Sequence, residues 1–210
     1  MTIDHPIFNQ SIRIIQSKLG HTGLEPLQQQ VLERLIHTTG DFAIKPFLQF
    51  SPSACEIGIS ALKSGAPILT DTKMAAAAIS PMASRTLGSN IRCILEWSPG
   101  KVERGLTRSA IGMRKSWQEL SRDCLPAKAP LVLIGSAPTA LEELLDLLGG
   151  GANLPSLIIA MPVGFVGVLK SKKRLSNCSY PQIRLDGHRG GAALVAAATN
   201  ALLRASSQID

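Results

Sequence analysis

Aromatic side chains are scarce. The 210 residues include five Phe, two Trp and one Tyr, 4% in all. Single-stranded nucleic acid is held by stacking bases on aromatic platforms, so this composition argues against a nucleic-acid partner. It also requires an aliphatic core built from Ala, Leu, Ile and Val. Cysteine is limited to Cys55, Cys93, Cys124 and Cys178, with no C-x-x-C or C-x-x-H spacing. The four histidines, His5, His21, His37 and His188, show no mutual ligand spacing either. No metal site is therefore expected. The chain is neither short nor loop-rich, so reduced thiols in the cytoplasm fit better than a disulfide scaffold. Apolar runs are too short to span a bilayer. The start lacks a basic segment followed by an apolar one, so no signal peptide and no membrane partner are expected. Neither G-x-G-x-x-G, nor the phosphate loop G-x-x-x-x-G-K-[ST], nor the nucleophile elbow G-x-S-x-G occurs. Nucleotide binding and serine-nucleophile chemistry thus lack a positive motif.

Acidic side chains are also in deficit. Fifteen Asp and Glu face 22 Lys and Arg, a net charge of +7. This suits an anionic partner. The basic residues are dispersed, which matches a small polyanion. Their one dense run, Lys170-Ser171-Lys172-Lys173-Arg174, reads as a solvated helix face.

What is present is periodic. Hydrophobic residues make up 45% of the chain, sufficient for a substantial core. Helical spacing predicts helices over 5–19, with Ser11 in the middle, and over 24–38. A further helix is expected over 53–63, closed by Gly65, and a small alanine-rich one over 72–79. Later helices are expected over 107–120, from the 135–138 turn to about 148, after 162–167, and over 192–204. The tail from Ser206 to Asp210 is expected to fray. Strands are predicted at 67–71, 91–95, 130–134, 157–160 and 183–185, with 47–50 either a strand or a loop crossing. Cys93 lies in one such run and reads as a small core residue. Continuous apolar strands alternating with helices indicate a mainly parallel sheet covered on both faces. The expected fold is a single three-layer α/β/α domain over 1–210, with a helical N-terminal portion (about 1–65) packed on it.

Open sheets of this kind bind ligands at the carboxyl ends of their strands. Three glycine-bearing loops fall there: Gly135-Ser136-Ala137-Pro138, Pro162 to Gly167, and 187–191. Glycine admits close backbone approach, and a following helix N-terminus favours an anion. Asp71, at a strand end, reads as an N-cap for the helix that follows. The segment Arg34-Leu35-Ile36-His37-Thr38-Thr39-Gly40 reads as a last helical turn with a glycine stop at C′. Arg34 and His37, three apart, share a face. Taken alone, His37 is expected to cap the last carbonyls.

Together these pieces resemble the precorrin-8X methylmutase family, which includes cobalt-precorrin-8 methylmutases. The resemblance rests on Arg34 to Gly40, Gly65-Ala66-Pro67-Ile68-Leu69-Thr70-Asp71-Thr72-Lys73-Met74 and Thr107-Arg108-Ser109-Ala110. Gly135 to Leu141, Met161-Pro162-Val163-Gly164-Phe165-Val166-Gly167, Arg189-Gly190-Gly191 and Asn200-Ala201-Leu202 complete it in order. It implies an isomerase that moves a corrinoid ring methyl from C-11 to C-12, without a dissociable cofactor. It further implies a homodimer with the site near the subunit interface. By this resemblance His37 is the functional histidine, and Ser11 and Arg34 contact the substrate. Arg108, Gly164, Gly167 and Arg189 are expected to line the same cleft. His188 stands where many relatives carry arginine, and Ser136 often corresponds to asparagine. Chemically, a histidine suits proton donation to the macrocycle near neutral pH, and arginines suit its peripheral carboxylates. The helix C-terminus favours imidazolium and Arg34 disfavours it, a balance that spacing alone leaves open.

Overall fold

The computed structural model describes residues 5–102, 105–122 and 124–207. Among the described residues, eight α-helices and six strands make three layers. The strands are β1 (Leu48–Phe50), β2 (Ile68–Thr70), β3 (Ile91–Cys93), β4 (Leu131–Ile134), β5 (Leu157–Ala160) and β6 (Gln182–Leu185). They form one sheet in the order β1-β6-β5-β4-β2-β3. All neighbours run parallel except β1, which pairs antiparallel with β6 at the edge, Leu48 opposite Leu185. The mainly parallel sheet is as expected, and the 47–50 segment is a strand. The N-terminal portion is therefore not purely helical, because it supplies this edge.

The central strands β4 and β5 are buried on both sides and continuously apolar. On one face Ile68, Leu131, Leu133, Leu157, Ile159 and Ile183 pack under five helices. These are α1 (Pro6–Leu19), α2 (Pro26–Thr39), α3 (Ala54–Lys63), α4 (Lys73–Arg85) and α8 (Ala192–Ser206). On the other face Leu69, Val132, Ile134, Ile158 and Ala160 pack against α5 (Arg108–Leu120), α6 (Pro138–Gly149) and α7 (Val168–Ser176). Trp117 fills this second layer, fully buried, with its indole N–H donating to the Asn153 carbonyl at 3.2 Å. Cys93 is buried, as expected of a core residue.

Three element ends differ most from the sequence reading. Helix α4 runs past Ile79 and through Pro81 to Arg85. Met82 and Ala83 are buried there, and that packing outweighs the carbonyl Pro81 leaves unpaired. The 91–95 strand stops at Cys93, where Glu96 turns back to accept from the Cys93 amide at 2.7 Å and starts a 3₁₀ turn. Ser206 belongs to α8 and is buried, its hydroxyl donating to the Leu203 carbonyl. Residues 208–210 of the expected frayed tail lie outside the described residues. Lys172, within the run taken for a solvated face, is only 2% exposed.

Candidate active site

The carboxyl ends of the parallel strands, the start of β1 and the end of α2 converge at one edge of the sheet. Helix α2 opens with a capping box between Glu25 and Gln28 and closes at Gly40. Gly40 adopts φ 67°, a left-handed conformation that a Cβ disfavours, and its N–H returns to the Ile36 carbonyl at 2.7 Å. Thr38 and Thr39 hydroxyls donate to the Arg34 and Leu35 carbonyls, each at 2.9 Å. The turn closes without the imidazole, and His37 is not a cap. Its Nδ1 lies 2.8 Å from Ser11 Oγ on α1.

Phe8 is one turn before Ser11 on α1, so both face α2. Its ring meets the His37 imidazole edge-on, centroids 5.0 Å apart at 81°. The guanidinium carbons of Arg34 and of Arg204, from α8, lie 4.6 and 4.4 Å from the same ring centre. Cation–π attraction therefore fixes Phe8 between two helices. Beside it opens a cavity of about 330 Å³ bordered by Ile12, Arg13, Glu33, Arg34 and Arg204. Glu33 is buried there and accepts from the amides of Gln16 and Gln29, at 3.1 and 2.8 Å.

Burial, and after it the Arg34 charge, holds the His37 pKa below its ordinary value. Burial, and after it Arg85, lowers that of Arg34 in turn. The balance left open by spacing thus falls against imidazolium: desolvation and a neighbouring cation outweigh the helix C-terminus.

The glycine loops divide. The β4–α6 loop has its donors occupied from within. Asp71 Oδ2 accepts from the amides of Gly135, Ser136 and Ala137 at 3.0, 2.6 and 2.8 Å. Asp71 is therefore not the N-cap of α4; Thr72 is, its hydroxyl accepting from the Ala75 N–H. Burial raises the Asp71 pKa, against the pull of those amides. The other two loops are fused to each other. His188 Nδ1 lies 2.7 Å from the Gly164 carbonyl, the Gly164 N–H donates to the His188 carbonyl at 3.2 Å, and the His188 ring stacks on Phe165. Gly190 runs so close to the preceding loop that a Cβ would sit 1.9 Å from the Met161 carbonyl oxygen. Arg189 reaches across to Asp41, one residue beyond Gly40, at 3.0 Å.

The structure thus joins Ser11 and His37 directly, brings Arg34 to them across the Phe8 ring, and ties Gly164 and Arg189 to the end of α2 through His188 and Asp41. Gly167 caps α7 and approaches Pro138. Arg108 heads α5 on the opposite face of the sheet, exposed. Its carbonyl accepts from Ser98, and it makes no polar contact with Ser11, Arg34 or His37 among the described residues. Sequence reasoning missed Phe8, Asp41 and Lys172. Only Lys172 carried a local signal, since Val168 and Leu175 bracket it at helical spacing on the buried face.

Comparison with known proteins gives a consistent result. The family model described as precorrin-8X methylmutase (CbiC) matches residues 6–205. A precorrin-8X methylmutase of Pseudomonas aeruginosa is 37% identical over 205 residues, covering 93% of each chain. A cobalt-precorrin-8 methylmutase of Synechocystis is 33% identical, covering 96% of this chain and 95% of that one. The crystal structure of a precorrin-8X methylmutase from Thermus thermophilus superposes with a TM-score of 0.84 at 34% identity, covering 96% of each.

Proposed function

The chain belongs to the precorrin-8X methylmutase family, isomerases of cobalamin biosynthesis, and we propose that His37 is the proton donor for its methyl migration. In this reaction the methyl bond at C-11 breaks as the bond at C-12 forms. The product is an isomer, so a proton given to the macrocycle is balanced by one released elsewhere. The observation that carries the assignment is the Ser11–His37–Phe8–Arg34 cluster at the end of α2. Ser11 orients the ring, Phe8 supports its edge, and Arg34 offers a charge for a peripheral carboxylate.

The lowered His37 pKa gives this cluster a sequence of events. Without substrate the imidazole is neutral at pH 7. A carboxylate settling on Arg34 neutralises the cation that helps hold the pKa down. Binding of the polyanion thereby favours the imidazolium that donates. Arg189, Arg108 and the 162–167 loop, with Gly164 and Gly167, supply further contacts in this reading, and the net charge of +7 attracts the substrate. The protein acts as a homodimer with the site near the interface. This is supported by the strongly exposed Phe165 and Val166, 86% and 90%, at that edge of the sheet. The free state of all four cysteines fits a cytoplasmic enzyme.

The test is turnover of precorrin-8, followed by absorption spectroscopy. His37→Ala is expected to lower kcat by about 10²–10⁴ while retaining product binding. Normal turnover by that variant overturns the assignment. Tight product binding without turnover by the intact protein would instead make it a corrinoid carrier. Metal-free and cobalt-loaded substrates, run side by side, decide which of the two relatives' names describes its substrate.

A further inference from the structure

We propose that Lys172 is a positioning residue for the reaction: its buried ammonium sets the β6–α8 loop, and with it Arg189, against the end of α2 that carries His37. The inference rests on reading Arg189 as a substrate anchor.

Helix α7 buries Val168, Ser171, Lys172 and Leu175. A methionine would fill the Lys172 position with the same length and no charge to desolvate. Burying an ammonium there is unfavourable unless it is satisfied by hydrogen bonds. Lys172 Nζ donates to the Gly187 carbonyl at 2.7 Å and to the Arg189 carbonyl at 2.8 Å. The two acceptors flank His188, so one cation holds both ends of a three-residue span. No carboxylate lies within ion-pair distance of Lys172 among the described residues. Asp186, its electrostatic neighbour, is paired with Arg184 at 2.9 Å. The ammonium is thus committed to the loop backbone. Burial pushes the Lys172 pKa down to about 8, so it stays mostly charged at neutral pH.

From this pin the connections lead toward the site. Arg189 extends to Asp41 at 3.0 Å. Asp41 Oδ1 accepts from the Ala43 N–H at 2.8 Å and opens the turn that follows α2. On its other side the loop holds Gly164 through His188. Loss of the pin frees the backbone that aims Arg189, without removing a group that touches the reacting ring.

The experiment is a double-mutant cycle on the full-length enzyme, reading KM and kcat separately for Lys172→Met, Arg189→Ala and the double variant. Lys172→Met is expected to raise KM about 3- to 10-fold, the effect of one charge-assisted contact, with kcat changed less than about twofold. In the Arg189→Ala background the same substitution should add nothing to KM. An equal rise with and without Arg189, or no rise, overturns the proposal. If Arg189→Ala alone leaves KM unchanged, the anchor reading itself fails, and that is visible without any Lys172 variant. Should Lys172→Met not fold, Lys172→Gln, which keeps a donor, is measured in the same cycle. If neither variant folds, the lysine is structural and the proposal is overturned.

Discussion

Removing the Asp71 carboxylate is the sharpest test of how the sheet edge is held. Its Oδ2 accepts three backbone N–H groups from the β4–α6 loop. No local group replaces it: Ala137, at the N-cap of α6, has no polar side chain, and Pro138 has no N–H. A buried donor left unpaired costs about 1–3 kcal/mol. Gly135 is fully buried, whereas Ser136 and Ala137 are half-buried and regain water. Asp71→Ala is therefore expected to cost about 3–5 kcal/mol. Asp71→Asn keeps a neutral oxygen in place and is expected to cost about 1–2 kcal/mol. That smaller loss includes stranding an amide where Oδ1 already lacks a partner. Urea unfolding midpoints at pH 7 read both variants. The wild type should also show a pH signature that Asp71→Asn lacks. Burial raises the folded carboxyl above its ordinary 3.8, so the native form holds more protons than the unfolded one above that value. The group's stabilisation is complete below the unfolded pKa and is lost as pH rises through the folded one. The reasoning is refuted if Asp71→Ala costs less than about 1 kcal/mol, or if Asn is as damaging as Ala.

Two further outcomes are expected. Arg34→Gln should raise the His37 pKa, read from its imidazole resonances in an NMR titration, because one of the two causes of the lowering is gone. The pH dependence follows with its sign: the depressed His37 contributes stability above its unfolded pKa near 6.5 that is lost as pH falls through the folded value, and Arg34→Gln should narrow that window. An unchanged or lower His37 pKa would contradict the cluster's electrostatics. Gly190→Ala places a Cβ 1.9 Å from the Met161 carbonyl oxygen, against the backbone of Met161 and Pro162. It should destabilise by about 3 kcal/mol or more, seen as a fall in Tm of several degrees; an unchanged Tm would mean the two loops are not locked together.

The sheet and its helices were legible because apolar periodicity is local, and the central strands β4 and β5 carry their own runs of Leu, Ile and Val. Asp71 was not. Its partners lie 64 to 66 residues downstream, while Thr72 beside it offers a hydroxyl suited to the same cap, so spacing assigned a local task to a long-range group. Lys172 was hidden differently. Four basic residues in five suggest a solvated face, although Val168 and Leu175, four before it and three after, turn that one position inward. Ser11 reached His37 only through family resemblance, since contact across 26 residues has no spelling in either helix. His37 itself reads as a cap from its place at the helix end, and only the structure shows otherwise. A histidine is needed as a cap only if the last carbonyls lack other donors. In Thr38-Thr39-Gly40 the two hydroxyls each fold back four residues along the helix, the glycine amide closes the last turn, and the imidazole is left to meet Ser11 on α1.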